Sequence, residues 1–266
     1  MKNLRKHGKS PFLIAVIHGG PGAAGQMFQV AQELSHVYGT LEPLQTSTSI
    51  DGQIQELHII LEKYGSKQVI LIGHSWGAWL TFLYASNYPA SVKKILLVSS
   101  GPFEEYYASQ IMDTRFNRLN DKEKIQLDKL IDVLNNPYRK DKNRIFARLG
   151  KLLSKTDSFL PIHHSDEVTE YRYDIFQSIC NDAKDLRQCG KLLMAGKQIQ
   201  CPVVAIHGDY DPHPFKGVKE PLSHFIKDFR FILIKNCGHY PWFERDAKEK
   251  FYKILYGELS QNPTID

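Results

Sequence analysis

Gln68-Val-Ile-Leu-Ile-Gly73-His-Ser75-Trp-Gly77 is the stretch of sequence on which the fold turns. Gln68 to Ile72 reads as a short apolar strand, and the segment from Ser75 to Asn87 reads as a helix that Pro89 ends. Gly73-His-Ser75-Trp-Gly77 is therefore a G-x-S-x-G pattern in a strand–turn–helix setting, that of a nucleophile elbow. A serine on so tight a turn has a strained backbone and close neighbours, so the positions two before and two after it must be small. Its Oγ then projects from the strand end, with the positive N-terminus of the next helix aimed at the same place. The pattern alone is common, and its setting is what gives it weight.

Working outward, Phe12 to Ile17 is a continuous apolar run, as expected of a parallel strand buried on both faces. The pattern predicts a helix from about Ala24 to Tyr38 and a weaker strand at Gly39 to Pro43. A helix through Ile50, Ile54, Leu57 and Leu61 stops at Gly65, and Val92 to Val98 is another strand. The rhythm returns late, with strands at Pro202 to Ile206 and Phe229 to Ile234 and a last helix from about Arg245 to Tyr256. Strands separated by helices imply right-handed crossovers and one mostly parallel sheet of about six strands. From Gly101 to about Gly196 no comparable strand occurs. Asn120-Asp-Lys-Glu123 is a capping box opening a helix through Leu134, and helical patterns cover Lys142 to Ser154 and Asp166 to Ile179. The expected organisation is a core of residues 1–101 and 196–266 with a helical insertion over 102–195.

The chain has 266 residues, of which 42% are hydrophobic and 24% charged, the balance of an ordinary globular protein. Its net charge of +5 comes from scattered lysines and arginines. They form no basic stripe of the kind a nucleic-acid partner requires. No apolar run approaches the ~18 residues of a membrane span. The basic start, with Lys2, Arg5, Lys6 and Lys9, leads into a short apolar run and a glycine motif, not into a secretory cleavage site. Cys180, Cys189, Cys201 and Cys237 lack paired metal-ligand spacing, so reduced thiols and a cytoplasmic location are expected. No H-E-x-x-H or similar spacing points to a metal.

A second motif, His18-Gly-Gly-Pro-Gly22, follows the strand Phe12 to Ile17. Its glycines let the backbone bend close to a ligand and present N–H donors, as an acyl-transfer oxyanion needs. Neither phosphate-loop pattern is present. The expected oxyanion donors are the amides of Gly20 and Trp76. A serine nucleophile also needs a base, and the base an orienting acid. His207-Gly-Asp209-Tyr-Asp211-Pro212 follows one late strand and Cys237-Gly-His239-Tyr follows the next. His239 is the expected base, with Asp211 or Asp209 as the acid. His18 and His74, inside the glycine motifs, are expected to position their neighbours. His163-His164 lies in the insertion without a matching carboxylate spacing.

These motifs resemble those of the α/β-hydrolase superfamily, and His18-Gly-Gly-Pro-Gly22 resembles its proline iminopeptidase branch. The resemblance spans about residues 10–101 and 196–258. It implies an α/β-hydrolase fold with a helical cap and the order Ser75, Asp211, His239. It selects Asp211 over Asp209, because the family's acid ends a G-x-x-D loop. The chain starts shortly before its first core strand, so the antiparallel hairpin that opens the fold is expected to be absent. Two departures separate it from the branch. Leu41-Glu-Pro-Leu-Gln-Thr-Ser-Thr-Ser49 replaces the branch's Asp-Gln-Arg-Gly segment. Glu104, Glu105, Glu167 and Glu170 in the insertion offer no clear alignment with the carboxylates that bind a free amino group, and are expected to be solvated helix-face charges. Tyr106, Tyr107, Phe159, Tyr171, Tyr173 and Phe176 are expected to roof the site or to pack the cap. The resemblance implies a serine hydrolase acting on an ester, amide or thioester of a small molecule or short peptide, through an acyl-enzyme and without metal or cofactor. Carbon–carbon bond hydrolysis, acyl transfer and a non-catalytic ligand receptor on the same scaffold remain open.

Overall fold

A computed structural model of the chain describes residues 3–162 and 170–260. The strands in chain order are β1 (Leu4–His7), β2 (Phe12–Ile17), β3 (Ala23–Ala24), β4 (Gly39–Pro43), β5 (Gly65–His74), β6 (Val92–Val98), β7 (Glu170–Tyr171), β8 (Val203–Gly208) and β9 (Phe229–Ile234). Among the described residues the main sheet has seven strands in the order β1-β4-β2-β5-β6-β8-β9. β1 runs antiparallel to β4, and every other pairing is parallel.

Period-two alternation divides the sheet's side chains between two apolar layers. Ile17, Leu71, Leu97 and Ala205 face one layer, packed under α2 (Ile50–Tyr64) and α3 (Trp76–Asn87). Val16, Ile72, Leu96 and Ile206 face the other, with α1 (Phe28–Leu34) and the C-terminal helix. Both faces are covered, which is why the central strands read as unbroken apolar runs. α3 is buried from Trp76 to Ala85, so it is apolar all round and carries no amphipathic signature.

Between β6 and β8 come α4 (Glu105–Ala108), α5 (Gln110–Asn117), α6 (Asp121–Asn135), α7 (Lys142–Asp157), α8 (Tyr173–Gln188) and α9 (Lys191–Ala195). The Asn120–Glu123 capping box opens α6 as its sequence requires. α6 and α7 share a small apolar cluster including Leu127, Leu130, Leu149 and Leu152. α10 (Lys216–Phe225) separates β8 from β9, and α11 (Lys248–Ser260) follows β9. Among the described residues, no helix is long and apolar enough to cross a membrane.

Three expectations require correction. The opening antiparallel hairpin is not wholly absent, since β1 pairs with β4. β1 carries no apolar run because it is a half-exposed edge, and Arg5 and His7 bond the buried Glu42 carboxylate of its neighbour. The helix from Ala24 to Tyr38 contracts to Phe28–Leu34. Gly20, Gly22 and Gly25 have positive φ, and Ala23 and Ala24 pair with Tyr171 and Glu170 instead. In the insertion, Asp166 lies outside the described residues, Glu170–Tyr171 is strand, and the helix there runs Tyr173–Gln188. His163, His164 and Glu167 also lie outside the described residues.

Candidate active site

Ser75 sits between β5 and α3 with φ 53° and ψ −113°, a conformation costly for a residue with a Cβ. Its N–H bonds the Val98 carbonyl at 3.0 Å, fixing the turn to the neighbouring strand. A Cβ at Gly73 would overlap the Gly77 carbonyl, and one at Gly77 would overlap the carbonyls of Ile17 and His18. The spacing therefore has a direct steric cause. Ser75 is half-buried, and its Oγ has no hydrogen-bond partner among the described residues. The Trp76 indole donates to Gln53 Oε1 at 2.9 Å, which anchors the residue after the serine.

The glycine loop after β2 is held as closely. Gly20 has φ 28° and its carbonyl accepts from Ala23 N at 2.8 Å. A Cβ at Gly22 would overlap the Arg172 carbonyl, and Arg172 N donates to Gly22 O at 2.8 Å, tying the loop to the insertion. His18 Nδ1–H donates to the Gly19 carbonyl at 2.7 Å, and its Nε2 accepts from Gln45 N at 3.3 Å. Burial lowers the His18 pKa to about 4, so the ring is neutral and serves as a strut. His74 Nε2–H donates to the His239 carbonyl at 2.9 Å, and its ring packs 4.6 Å from that of His239. This joins the elbow to the loop after β9.

At the ends of β8 and β9, His239 Nδ1 bonds Asp211 Oδ2 at 2.8 Å, with both residues buried. Asp209 lies apart, receiving Cys237 N at 3.4 Å and facing Lys235 at 3.4 Å. Burial opposes ionisation of Asp211, but the imidazoles of His239, His213 and His207 outweigh it and hold the carboxyl well below its usual range. Asp211, His213 and His239 are near enough to hold a metal, with ligand atoms within 4.8 Å of one another. The ring nitrogens concerned all face the carboxylate at hydrogen-bond distance, so the arrangement is a carboxylate hub with imidazole donors. The four cysteines are free, and burial raises the pKa of Cys180 and Cys237.

Several residues of this region escape a sequence reading. The buried Glu244 carboxylate accepts from Gly238 N at 3.0 Å and from Phe159 N and Leu160 N at 2.7 Å each. It thereby clamps the loop carrying His239 to the segment that follows α7 in the insertion. His239 N also donates to the Asp157 carbonyl at 2.7 Å, and the Asp157 carboxylate takes Arg115 at 2.8 and 2.6 Å. His213, between β8 and α10, bonds Asp211 as well. None has a local signature, because the partners that join segments, Phe159 and Leu160 for Glu244 and Asp157 for Arg115, are remote in sequence. Asp211-Pro-His213 could have drawn attention as a histidine beside the candidate acid. Of the insertion's aromatic residues, Tyr171, Tyr173 and Phe176 pack around Phe146, while Tyr106 is exposed. Tyr107 bonds Glu220, and Phe159 meets Tyr210 edge-on.

Comparison with known proteins agrees with this layout. The alpha/beta hydrolase fold family matches residues 3–246. A proline iminopeptidase of Saccharolobus solfataricus is 25% identical over 93% of this chain and 84% of its own. One of Lactobacillus crispatus is 26% identical over 97% and 92% respectively. Together these similarities support a hydrolase. The crystal structure of VinJ superposes with a TM-score of 0.66 at 17% identity, covering 96% of this chain and 93% of that one, a likeness of fold alone. The glycine-bounded serine turn, the glycine loop and the late acid and histidine loops thus stand at strand ends of a sheet that the family match spans almost entirely, and the chain belongs to the alpha/beta hydrolase fold family.

Proposed function

We propose that the protein is a serine hydrolase that cleaves a small acyl substrate through an acyl-enzyme, beneath a cap formed by residues 102–195. The observation that carries this reading is the strained Ser75 at the N-terminus of α3, joined through His74 to the loop of His239. Ser75 Oγ attacks the substrate carbonyl while His239 Nε2 takes its proton. Asp211 holds the imidazole with Nδ1 protonated and stabilises the imidazolium. The amides of Gly20 and Trp76 receive the oxyanion as it forms. His239 then gives the proton to the leaving group, and water, deprotonated by the same ring, attacks the acyl-enzyme and restores Ser75.

The state of the buried carboxylates bears on the acyl group. Capture of a free ammonium in an enclosed site needs a carboxylate partner, since an unpaired buried charge is expensive. Among the described residues each buried carboxylate is already engaged. Glu42 holds Arg5 and His7, Asp157 holds Arg115, and Glu258 holds Lys94 and Arg230. Asp211 and Glu244 are engaged as above. Glu104 is exposed and Glu105 pairs with Arg187 at 2.8 Å. This supports a neutral ester or thioester. The similarity to proline iminopeptidases favours a second reading, an aminopeptidase.

Two measurements test the proposal. Ser75→Ala is expected to abolish labelling by a fluorophosphonate probe and turnover of a small p-nitrophenyl ester; labelling that persists on another serine ends the assignment. Prolyl- and alanyl-p-nitroanilide, compared with their N-acetylated forms and with short-chain p-nitrophenyl esters, decide the substrate class. Ester turnover without free-amine preference is expected, and a strong preference for free-amine anilides establishes the peptidase instead.

A further inference from the structure

The Asp211 carboxylate carries more than the one imidazole that a triad requires. Oδ2 takes His239 Nδ1–H at 2.8 Å. Oδ1 takes His213 twice, from its backbone N–H and from Nδ1, each at 2.9 Å. The His213 ring also lies flat on the His239 ring, with centroids 4.3 Å apart and planes 22° apart. From below, His207 Nε2 reaches the His213 carbonyl at 2.9 Å and Asp211 Oδ2 at 3.3 Å. A small apolar side chain would fill this space, but it would supply neither the donor nor the flat face.

From this geometry we infer that His213 is a positioning residue for the proposed acid–base pair, locking the Asp211 carboxylate through Oδ1 and bracing the plane of the His239 ring. The inference rests on the reading of Ser75, Asp211 and His239 given above. A carboxylate held on one oxygen can turn about its Cβ–Cγ bond, whereas two donors on Oδ1 remove that freedom and keep Oδ2 on His239 at 2.8 Å, with His207 Nε2 farther off at 3.3 Å. The charged and titratable groups around Asp211 and His239 are His207 near the end of β8, His213 itself, His74 from the elbow, Cys237 and Tyr240 from the His239 loop, and Arg115 with Asp157 from α5 and α7. Burial, then the neighbouring His239, lower the His213 pKa to about 4 against the pull of Asp211. At neutral pH the ring is thus an uncharged donor, adding no repulsion to the imidazolium that catalysis forms on His239. Its Nδ1–H also draws on the charge of the carboxylate that faces the His239 ring.

Two variants of the full chain separate donor from face. His213→Asn keeps an N–H near the Nδ1 position and loses the ring. His213→Phe keeps a ring and loses the donor. The primary readout is the histidine side-chain NMR titration of His239, which does not depend on activity; the acid limb of kcat/KM on a p-nitrophenyl ester accompanies it. The Phe variant is expected to move the His239 titration up by about half a unit or more and to lower kcat about tenfold, with KM little changed. The Asn variant is expected to leave the titration near that of the native chain. His213→Leu deletes the donor with less bulk, so the comparison survives if the Phe variant does not fold. An unmoved His239 titration in the donor-deletion variants, or equal movement in all variants, overturns the inference. Fluorophosphonate labelling of the native chain separates the two claims. If Ser75 is labelled while the titration is unmoved, this inference alone falls. If Ser75 is not labelled while the titration moves, the catalytic reading falls and the coupling of His213 to His239 stands.

Discussion

The two halves of the proposed site are built by different means. The nucleophile half, Gly73 to Gly77 and His18 to Gly22, is held by contact: backbone passes so close to backbone that a Cβ at Gly22, Gly73 or Gly77 would overlap a carbonyl. The acid–base half is held by polar bonds in relay, with Asp211 under three imidazoles, Glu244 on three amides and Asp157 joining Arg115 to the His239 amide. Steric constraint demands a glycine at the point of approach itself, whether the opposing backbone is near in sequence, as Gly77 is to Gly73, or far, as Arg172 is from Gly22, and it tolerates little substitution. Polar relay reaches across the chain and fails one bond at a time. Damage to the first half should therefore appear as lost folding together with lost chemistry, whereas damage to the second should separate the two.

The sharpest way to break this contrast is at the acid. Asp211→Asn is expected to lower kcat by about 10³–10⁴ while the thermal midpoint stays close to native, and Asp209→Asn to cost far less. Purified, folded variants that rank the other way would show that the loop delivers a different carboxylate to His239. Next in size is the buried pair behind His239. Arg115→Leu leaves Asp157 charged without its partner and is expected to cost about 3–5 kcal/mol in urea unfolding, and Arg115→Leu with Asp157→Leu to recover much of it. Equal destabilisation by the single and double variants would mean that the pair's charge is immaterial.

On the steric side, Gly77→Ala is expected to cost about 3 kcal/mol and to lower kcat with it, because the carbonyls of Ile17 and His18 belong to strand ends that cannot yield. A variant with native stability and reduced turnover would erase the proposed distinction between the halves. The smallest effect concerns acid sensitivity. His18 is held at about 4, below its ordinary 6.5, so the unfolded chain binds that proton first. Its contribution is complete above pH 6.5 and is lost as pH falls toward 4, about 2 kcal/mol of it by pH 5. His18→Gln should flatten the fall of unfolding free energy between pH 6.5 and 5 by that amount, and an unchanged slope would show that the ring does not stay neutral.

The same contrast explains how much of the site is legible in the amino-acid sequence. Gly73-His-Ser75-Trp-Gly77 and His18-Gly-Gly-Pro-Gly22 announce themselves because a close backbone approach requires glycine at its own position, whichever segment lies opposite, and each motif gathers its glycines within five residues. Motif order points to Asp211 and His239, and the fold brings them within one hydrogen bond while leaving Asp209 aside. Glu244 and the Arg115–Asp157 pair give no such signal, since a glutamate or arginine in isolation looks like any other until its partner is known, and His213 gives only its place two residues after Asp211. The helix expected at Ala24 to Tyr38 fails for a related reason: Ala23 and Ala24 are drawn into a bridge with Glu170 and Tyr171, which no local propensity encodes.

Sequence alone determined the central parallel sheet and its elbow, because continuous apolar runs suit strands covered on both faces and small residues suit a turn with no room for a Cβ. Tertiary structure alone decided that the basic segment Leu4–His7 becomes an edge strand over the buried Glu42. It also decided that Glu244 pins the insertion to the His239 loop and that Asp211 faces three imidazoles at once. In each of these cases a buried charge needs donors that the chain supplies from a distant segment or a separate turn, and only folding brings them within bonding distance.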